Sequence, residues 1–298
     1  MSKIKVLFYV FIFWGCSYPS MPTEPSIKRV ALVIGNQHYK NNALENPIND
    51  AKGMAKTLKE IGFDVLLRFD VTKKELDEAL SLFKHKIVAN ETIVFIYFAG
   101  HGNTLKVEEG SSQASSEEYL MMTDRKKTLL VSIYKLYDFL IKAKGRQNIV
   151  VIDACRDYQE QYRVMNKREN YQAVKNFRGN FRTISLRHDA GKQGEEEVLL
   201  DNNYASKFPP STLVSYATMH KQKAQDWSIH DKSHSPYTYA LMNYLNDEEI
   251  PIEEVFRRVR VSLLKETKRK QSNLEELNLE KNIWLVPKRA EVAVAPAF

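Results

Sequence analysis

The chain has 298 residues, 43% of them hydrophobic and 27% charged, which suits one large or two small globular domains. Its formal net charge is +7, but the basic residues are interspersed with 37 acidic ones. No finger spacing or basic-aromatic module is present, so we do not expect a nucleic-acid-binding protein. The two cysteines, Cys16 and Cys155, exclude a disulfide framework and allow one bridge at most.

Residues 1–16 have the pattern of a secretory signal peptide. Two lysines within the first five residues precede an apolar run over residues 6–14, which is too short to span a membrane as a helix. The run ends at Gly15 and Cys16, an end similar to that of bacterial lipoprotein signals, in which the cysteine is acylated. We therefore predict an exported protein, periplasmic or attached to the membrane through Cys16. A cytoplasmic protein and an uncleaved membrane anchor are the alternatives.

Strand and helix patterns alternate from residue 29 to residue 153, after a Pro- and Ser-rich tether at residues 17–28. Continuous apolar runs predict buried strands, and runs with helical period predict helices between them. The predicted strands are residues 29–36, 64–69, 92–99, 119–122 and 148–153, and the predicted helices are residues 47–61, a segment capped by Thr72 with Glu75, and residues 131–143. This alternation predicts an α/β fold, a mostly parallel sheet flanked by helices on both faces.

Residues 157–208 interrupt the alternation with a polar stretch rich in Lys and Arg. We predict a long, mobile, basic linker there, inside one domain of residues 29–287. The elements predicted after the linker are a strand at 211–217, helices at 237–245 and 252–265, a short strand at 284–286, and a disordered tail at 288–298.

His101 and Cys155 each follow a predicted buried strand. Reactive groups of parallel α/β sheets sit at the carboxyl ends of the strands, so the two residues are expected at one edge. A His within reach of a thiol can take its proton and later protonate the leaving group. The amides of Gly102 and Cys155 would then be the oxyanion donors. By placement alone, a buried small cysteine and a histidine in a turn remain the alternatives.

Two motifs resemble those of the caspase-like cysteine peptidases, which include caspases, paracaspases and metacaspases. They are residues 98–102 (Phe-Ala-Gly-His-Gly) and residues 153–157 (Asp-Ala-Cys-Arg-Asp), and the 54 residues from His101 to Cys155 match the caspase spacing. The resemblance to bacterial members extends over residues 29–267, through segments 31–36, 46–51, 235–238 and 255–260. It implies a caspase-hemoglobinase fold, with Cys155 as nucleophile and His101 as base.

The resemblance also implies a specificity pocket. In metacaspases, two acids at the positions of Asp50 and Asp153 line a pocket for a basic side chain, and Asp226 resembles a further acidic position beside it. Ser215 and Tyr216 fall where the family lays substrate along a strand edge. The alternatives are an ordinary acid at the N-terminal end of a helix for Asp50, and a loop-orienting role for Asp153.

The sequence thus predicts a cysteine endopeptidase that acts on protein or peptide substrates and cuts after Arg or Lys. The basic linker at 157–208 would be open to self-cleavage by such an enzyme. No cofactor is expected, and calcium dependence is left open because of the acidic run at residues 195–197. The alternative function is a catalytically silent interaction or signalling module. The oligomeric state is not predicted.

Overall fold

A computed structural model describes residues 27–40, 42–107, 115–124, 128–156, 163–164, 182–187, 196–201, 207–220 and 222–286. The predicted signal peptide with Cys16, nearly all of the tether, the tail and much of the linker lie outside the described residues. Within those ranges, no helix has both the length and the apolar character needed to cross a membrane.

A six-stranded sheet forms the centre of the fold. Its strands are β1 (Lys28–Gly35), β2 (Asp64–Phe69), β3 (Thr92–Ala99), β7 (Gln147–Asp153), β11 (Thr212–Tyr216) and β12 (Leu274–Leu277), in the order β12-β11-β7-β3-β1-β2. All neighbouring pairs are parallel except β11 with β12, which is antiparallel. The strands β3, β7 and β11 are buried along their whole length, which explains why their sequences are continuous apolar runs rather than alternating ones.

In the described part of the chain, five helices cover the two faces of this sheet. They are α1 (Pro47–Glu60), α2 (Lys73–Lys84), α3 (Tyr134–Ala143), α4 (Pro236–Leu245) and α5 (Ile252–Glu266). Apolar residues of α1, α4 and α5 form one core with one face of the sheet, and those of α2 and α3 form a second core with the other face. The capping box that Thr72 and Glu75 predict is present at the start of α2. The predicted α/β architecture with helices on both faces is confirmed.

A second sheet begins immediately after His101. Its strands are β4 (Gly102–Val107), β5 (Ser115–Met122), β6 (Thr128–Ser132), β8 (Arg163–Val164), β9 (Arg182–Arg187) and β10 (Glu196–Asp201), in the order β4-β5-β6-β10-β9-β8. Because β4 continues from the loop after β3, the second sheet extends from the carboxyl edge of the first one. Both sheets therefore border the region where the predicted catalytic residues lie.

The structure differs from the sequence-based expectations at several elements. Three short strands, β8, β9 and β10, lie within the predicted linker, where apolar residues alternate with polar ones in β9 and form a short run in β10. The strand β12 was not predicted, since its sequence is acidic and it needs the partner strand β11 to form. In place of the last predicted strand, Trp284 makes an isolated bridge with Pro251. The helix α3 begins at Tyr134, because residues 128–132 form β6.

Gly35, at the carboxyl end of β1, packs directly against the first turn of α1. A Cβ atom at this position would lie 2.3 Å from the carbonyl oxygen of Pro47 and 2.8 Å from Cβ of Ala51. Since the nearest obstacle is backbone, Gly35→Ala is expected to lower the free energy of unfolding by roughly 1–3 kcal/mol. Urea denaturation measures this, with the exposed α1 substitution Lys56→Ala as the control. Equal stabilities of the two variants would contradict the packing described.

Candidate active site

The strands β3 and β7 bring the two predicted catalytic residues to one edge. Ala99 pairs with Asp153 at the end of the parallel register, and the N–H of Gly100 donates to the carbonyl oxygen of Asp153 at 3.1 Å. His101 and Cys155 are each two residues further along. A Cβ on Gly102 would lie 2.7 Å from the carbonyl oxygen of Cys155, so the two loops are in backbone contact and only glycine fits there.

Backbone and aromatic contacts fix the orientation of His101. Its Nε2 lies 2.7 Å from the carbonyl oxygen of Asn42, and its backbone N–H donates to the hydroxyl of Tyr39 at 2.9 Å. The ring centroids of Tyr39 and His101 are 4.6 Å apart. A carbonyl oxygen can only accept, so Nε2 carries the proton and Nδ1 is the basic nitrogen of the neutral ring. Burial lowers the pKa of His101 below its ordinary value, which keeps the imidazole neutral near pH 7.

Cys155 is half-buried, and its Sγ lies 3.9 Å from the carbonyl oxygen of Ala224, toward which the thiol donates. The next residue, Arg156, donates its backbone N–H to the carbonyl oxygen of Gln222 at 3.2 Å. The backbone of residues 222–224 therefore runs alongside the loop that carries the cysteine.

The side chain of Arg156 ties this loop to both sheets. It is 3% exposed, and its Nε and Nη2 atoms donate to Oε1 of Glu118 in β5, the former at 2.6 Å. The guanidinium also lies 3.8 Å from the ring centroid of Tyr216. A buried arginine needs such partners because an unpaired buried charge is very costly. Glu118, in a strand of the second sheet, had no sequence signal that linked it to the cysteine.

Asp50 and Asp153, the predicted specificity acids, lie against the N-terminus of α4. Both side chains are buried, at 2% and 6% exposure. Oδ1 of Asp50 accepts from the backbone N–H of Ser235 at 3.0 Å and faces Nδ1 of His234 at 3.1 Å. Oδ2 of Asp153 accepts from the hydroxyls of Ser235 at 2.5 Å and Thr238 at 2.7 Å. Within the described part of the chain, the other oxygen of each carboxylate makes no hydrogen bond.

Asp226 contacts the loop before α1. Its Oδ2 accepts from the backbone N–H of Glu45 at 2.7 Å, and its carbonyl oxygen accepts from Nδ2 of Asn46 at 2.6 Å. Burial raises the pKa of Asp153 and lowers that of His101, and the charge of Asp226 adds to the rise at Asp153 and opposes the lowering at His101. The structure thus brings Asp50 and Asp153 together at Ser235 and places Asp226 near Asp153.

Burial raises the pKa of Asp50 to about 7 and that of Asp153 to about 6. The negative charge of Asp153 raises the pKa of Asp50 further, while the hydrogen bond from His234 lowers it. Two buried carboxylates that repel each other are costly for folding, and a cation placed between them would remove much of that cost.

Ser215 and Tyr216 are buried in the core, and Tyr216 lines a small cavity next to Cys155. The hydroxyl of Ser215 contacts the hydroxyl of Tyr237 at 2.7 Å and donates to Glu275 at 3.1 Å. The Tyr216 hydroxyl lies 3.1 Å from that of Tyr137. Both edges of β11 are occupied over these residues, by β7 on one side and β12 on the other. The expectation of an open strand edge at these two positions is therefore wrong, and the physical reason is the unforeseen strand β12.

No metal site is evident from the described side chains, since no group of three or more His, Cys, Asp or Glu residues is placed to hold an ion. Glu195 of the acidic run lies outside the described residues. Calcium dependence stays a prediction.

Comparisons with known proteins agree with this geometry. The family model for the caspase domain matches residues 28–283, which is most of the chain. The chain belongs to the caspase-domain family. Among solved structures, it is similar to caspase-1 from Spodoptera frugiperda, with a TM-score of 0.57 and 13% identity over 88% of this chain and 93% of that one.

A second similar structure is the Drosophila initiator caspase Dronc. It has a TM-score of 0.52 and 12% identity, and the match covers 86% of this chain and 82% of that one. None of the curated protein sequences matches this chain. The family model confirms the predicted family, and the two solved structures, at 12–13% identity, confirm the fold alone.

The raised pKa of Asp50 predicts a pH-dependent gain in stability for Asp50→Asn. The folded wild type binds a proton at Asp50 that the unfolded chain has lost above about pH 4, so this stabilising contribution disappears as the pH rises through 7. Asn keeps an acceptor for Ser235 and carries no charge. We expect the variant to be more stable than wild type by roughly 1–3 kcal/mol at pH 8, with a smaller gain at pH 5.

Urea denaturation at the two pH values measures this difference. Asp64→Asn, on the edge strand β2, controls for the loss of one negative charge. A gain for Asp50→Asn that is the same at pH 5 and pH 8 would contradict the burial of an ionised Asp50.

Proposed function

We propose that the protein is a cysteine endopeptidase with Cys155 as nucleophile and His101 as general base, and that it cleaves after Arg or Lys. The observation that carries this proposal is the register of β3 and β7, which places the family's two motifs side by side at the carboxyl edge of the sheet. Membership of the caspase-domain family supports a peptidase of this kind. A catalytically silent interaction module with the same fold is the alternative that the experiments below would reveal.

The reaction proposed begins when Nδ1 of His101 takes the proton of the Cys155 thiol. The thiolate attacks the substrate carbonyl, and the N–H groups of Gly102 and Cys155 donate to the oxyanion that forms. His101 then protonates the leaving amine, and a water molecule hydrolyses the thioester. The hydrogen bond from Nε2 to the Asn42 carbonyl supports this sequence, since it holds Nδ1 in the basic form and stabilises the imidazolium between the two proton transfers.

The proposed specificity rests on the two buried carboxylates. One oxygen of Asp50 and one of Asp153 are held by the N-terminal turn of α4, while the second oxygen of each remains for a ligand. A guanidinium would pair with both acids and gain most from bidentate contacts, whereas an ammonium would gain less. An aspartate side chain would be repelled by the same charges.

A panel of fluorogenic peptides with Arg, Lys, Asp or citrulline before the scissile bond tests the proposal. Arg peptides should be cleaved fastest and Lys peptides next, and Asp peptides should remain uncut because a carboxylate cannot replace the missing cation. Cys155→Ala should lower kcat by roughly a thousandfold or more. The measurement is kcat/KM for each peptide, with and without calcium.

A thiol-reactive probe that labels wild type and spares Cys155→Ala is the control for a folded, accessible nucleophile. Cleavage of Asp peptides alone would contradict the acidic pocket. Absence of turnover on every peptide, together with normal labelling, would support the silent module.

We also propose self-cleavage within residues 157–195, the part of the basic linker before β10. Lys and Arg residues are numerous there, at Arg163, Lys167, Arg168, Lys175, Arg178, Arg182, Arg187 and Lys192. The last residue of β10, Asp201, is 1% exposed and lies 3.2 Å from Nζ of Lys135 in α3. This anchor would keep the two fragments associated after a cut.

Purified wild type should therefore yield two fragments that separate under denaturing conditions and elute together in native buffer, while Cys155→Ala stays intact. Mass spectrometry should place the new C-terminus at an Arg or Lys of this segment. A wild type that remains whole while it cleaves Arg peptides would refute self-cleavage and leave the specificity untouched.

A further inference from the structure

His234 lies directly before segment 235–238 of the family resemblance, and its contacts point to a role in the proposed pocket. Its Nδ1 lies 3.1 Å from Oδ1 of Asp50, although 184 residues separate the two along the chain. The side chain of His234 is 15% exposed, so the imidazole is largely buried, with Nδ1 toward the carboxylate of Asp50. A carboxylate accepts, so this contact is a hydrogen bond from Nδ1–H.

Both hydrogen bonds to Asp50 end on the same oxygen. The N–H of Ser235 and Nδ1 of His234 donate to Oδ1, and among the described residues nothing donates to Oδ2. Two donors on one oxygen fix the rotation of the carboxylate about its Cβ–Cγ bond. Oδ2 is therefore held in one direction and stays available to a ligand.

The surroundings of His234 hold its ring in this place. Its carbonyl oxygen accepts from the N–H of Ser228 at 2.7 Å, and its own N–H donates to the carbonyl oxygen of Asp231 at 3.1 Å. On α1, Gly53 leaves the space for the ring, since a Cβ there would lie 2.9 Å from Cε1 of His234 and 2.5 Å from Sδ of Met242. The ring of His234 therefore packs closely against Gly53, on the same helix that carries Asp50.

His234 favours the ionised form of Asp50, against burial and the charge of Asp153. Asp50 of α1 and Asp231 of the loop before α4 face the two nitrogens of His234, with Nε2 3.8 Å from Oδ2 of Asp231. The hydrogen bond to Asp50 raises the pKa of His234, and the same bond lowers that of Asp50, which burial and the charge of Asp153 raise. The charge of Asp226 contributes to the raised pKa of Asp153, which burial mainly causes, and so affects Asp50 only indirectly.

We propose that His234 is a positioning residue for substrate specificity, whose hydrogen bond to Oδ1 favours the carboxylate form of Asp50 and directs its Oδ2 toward the basic side chain of the substrate. This inference rests on the proposed function, since it deepens the selection of Arg and Lys by the same pocket. His234 itself does not touch the reacting atoms, so its loss leaves Cys155 and His101 unchanged. Its effect is confined to substrates that carry a positive charge.

Two variants separate this role from simple packing. His234→Leu fills the space and removes the donor, whereas His234→Asn keeps an N–H near the position of Nδ1. Each is assayed with peptides that carry Arg or its neutral isostere citrulline before the scissile bond. We expect His234→Leu to reduce the ratio of kcat/KM for Arg over citrulline by roughly fivefold at pH 7, through KM. A rise of about one unit from a pKa of about 7 lowers the ionised fraction of Asp50 from about one half to about one tenth. His234→Asn should restore most of the ratio.

The pH profile gives a second readout. Without this donor, Asp50 becomes ionised only at higher pH. The acid limb of the kcat/KM profile for the Arg peptide should therefore move to higher pH in His234→Leu, while the acid limb for the citrulline peptide should keep its pH. An equal loss on both peptides with unshifted limbs would mean a purely structural role and would overturn the inference.

A measurement that needs no turnover completes the test. The ¹³C titration of the Asp50 carboxyl, assigned by its disappearance in Asp50→Asn, is followed in Cys155→Ala protein with and without His234→Leu. A rise in the midpoint pH of the titration supports the coupling between His234 and Asp50. The same rise in a protein that shows no preference for Arg peptides would still support this coupling, and would contradict only the proposed function. An unmoved midpoint would overturn the inference whatever the activity.

Discussion

The parallel pairing of β3 with β7 is the constraint on which the site depends. Its last pair, Ala99 with Asp153, and the hydrogen bond from Gly100 to the Asp153 carbonyl set the loops that carry His101 and Cys155 side by side. Both strands are fully buried and apolar, so a shift in their register would expose core residues. The energy of the core therefore fixes the relative positions of two polar residues that contribute little to stability.

The N-terminus of α4 connects the sheet to the buried acids. Ser235 caps the helix by accepting from the N–H of Thr238, and its hydroxyl donates to Asp153, while its backbone N–H donates to Asp50. The positive end of the helix dipole favours negative charge at this place. One capping residue thus serves helix α4 and both carboxylates, which explains how two acids can be held 2–6% exposed without a resident cation among the described residues.

Ion pairs connect the second sheet to the loop that carries Cys155 and to helix α3. Arg156 anchors the cysteine loop to Glu118 in β5, and Asp201 at the end of β10 joins Lys135 in α3. The position of the nucleophile consequently depends on strands of both sheets.

The sequence by itself determined the parallel strands of the central sheet, the helices and the placement of His101 and Cys155 at strand ends, because apolar runs, a capping box and strand ends are local patterns. The pairing of β3 with β7, which sets the two residues side by side, belongs to the tertiary structure. It also indicated Asp50, Asp153 and Asp226, through resemblance. Only the tertiary structure decided that β12 closes the edge at Ser215 and that His234 meets Asp50. Such contacts join side chains from distant segments whose sequences carry no periodic signal. Packing of the whole fold, rather than any local preference, brings them together.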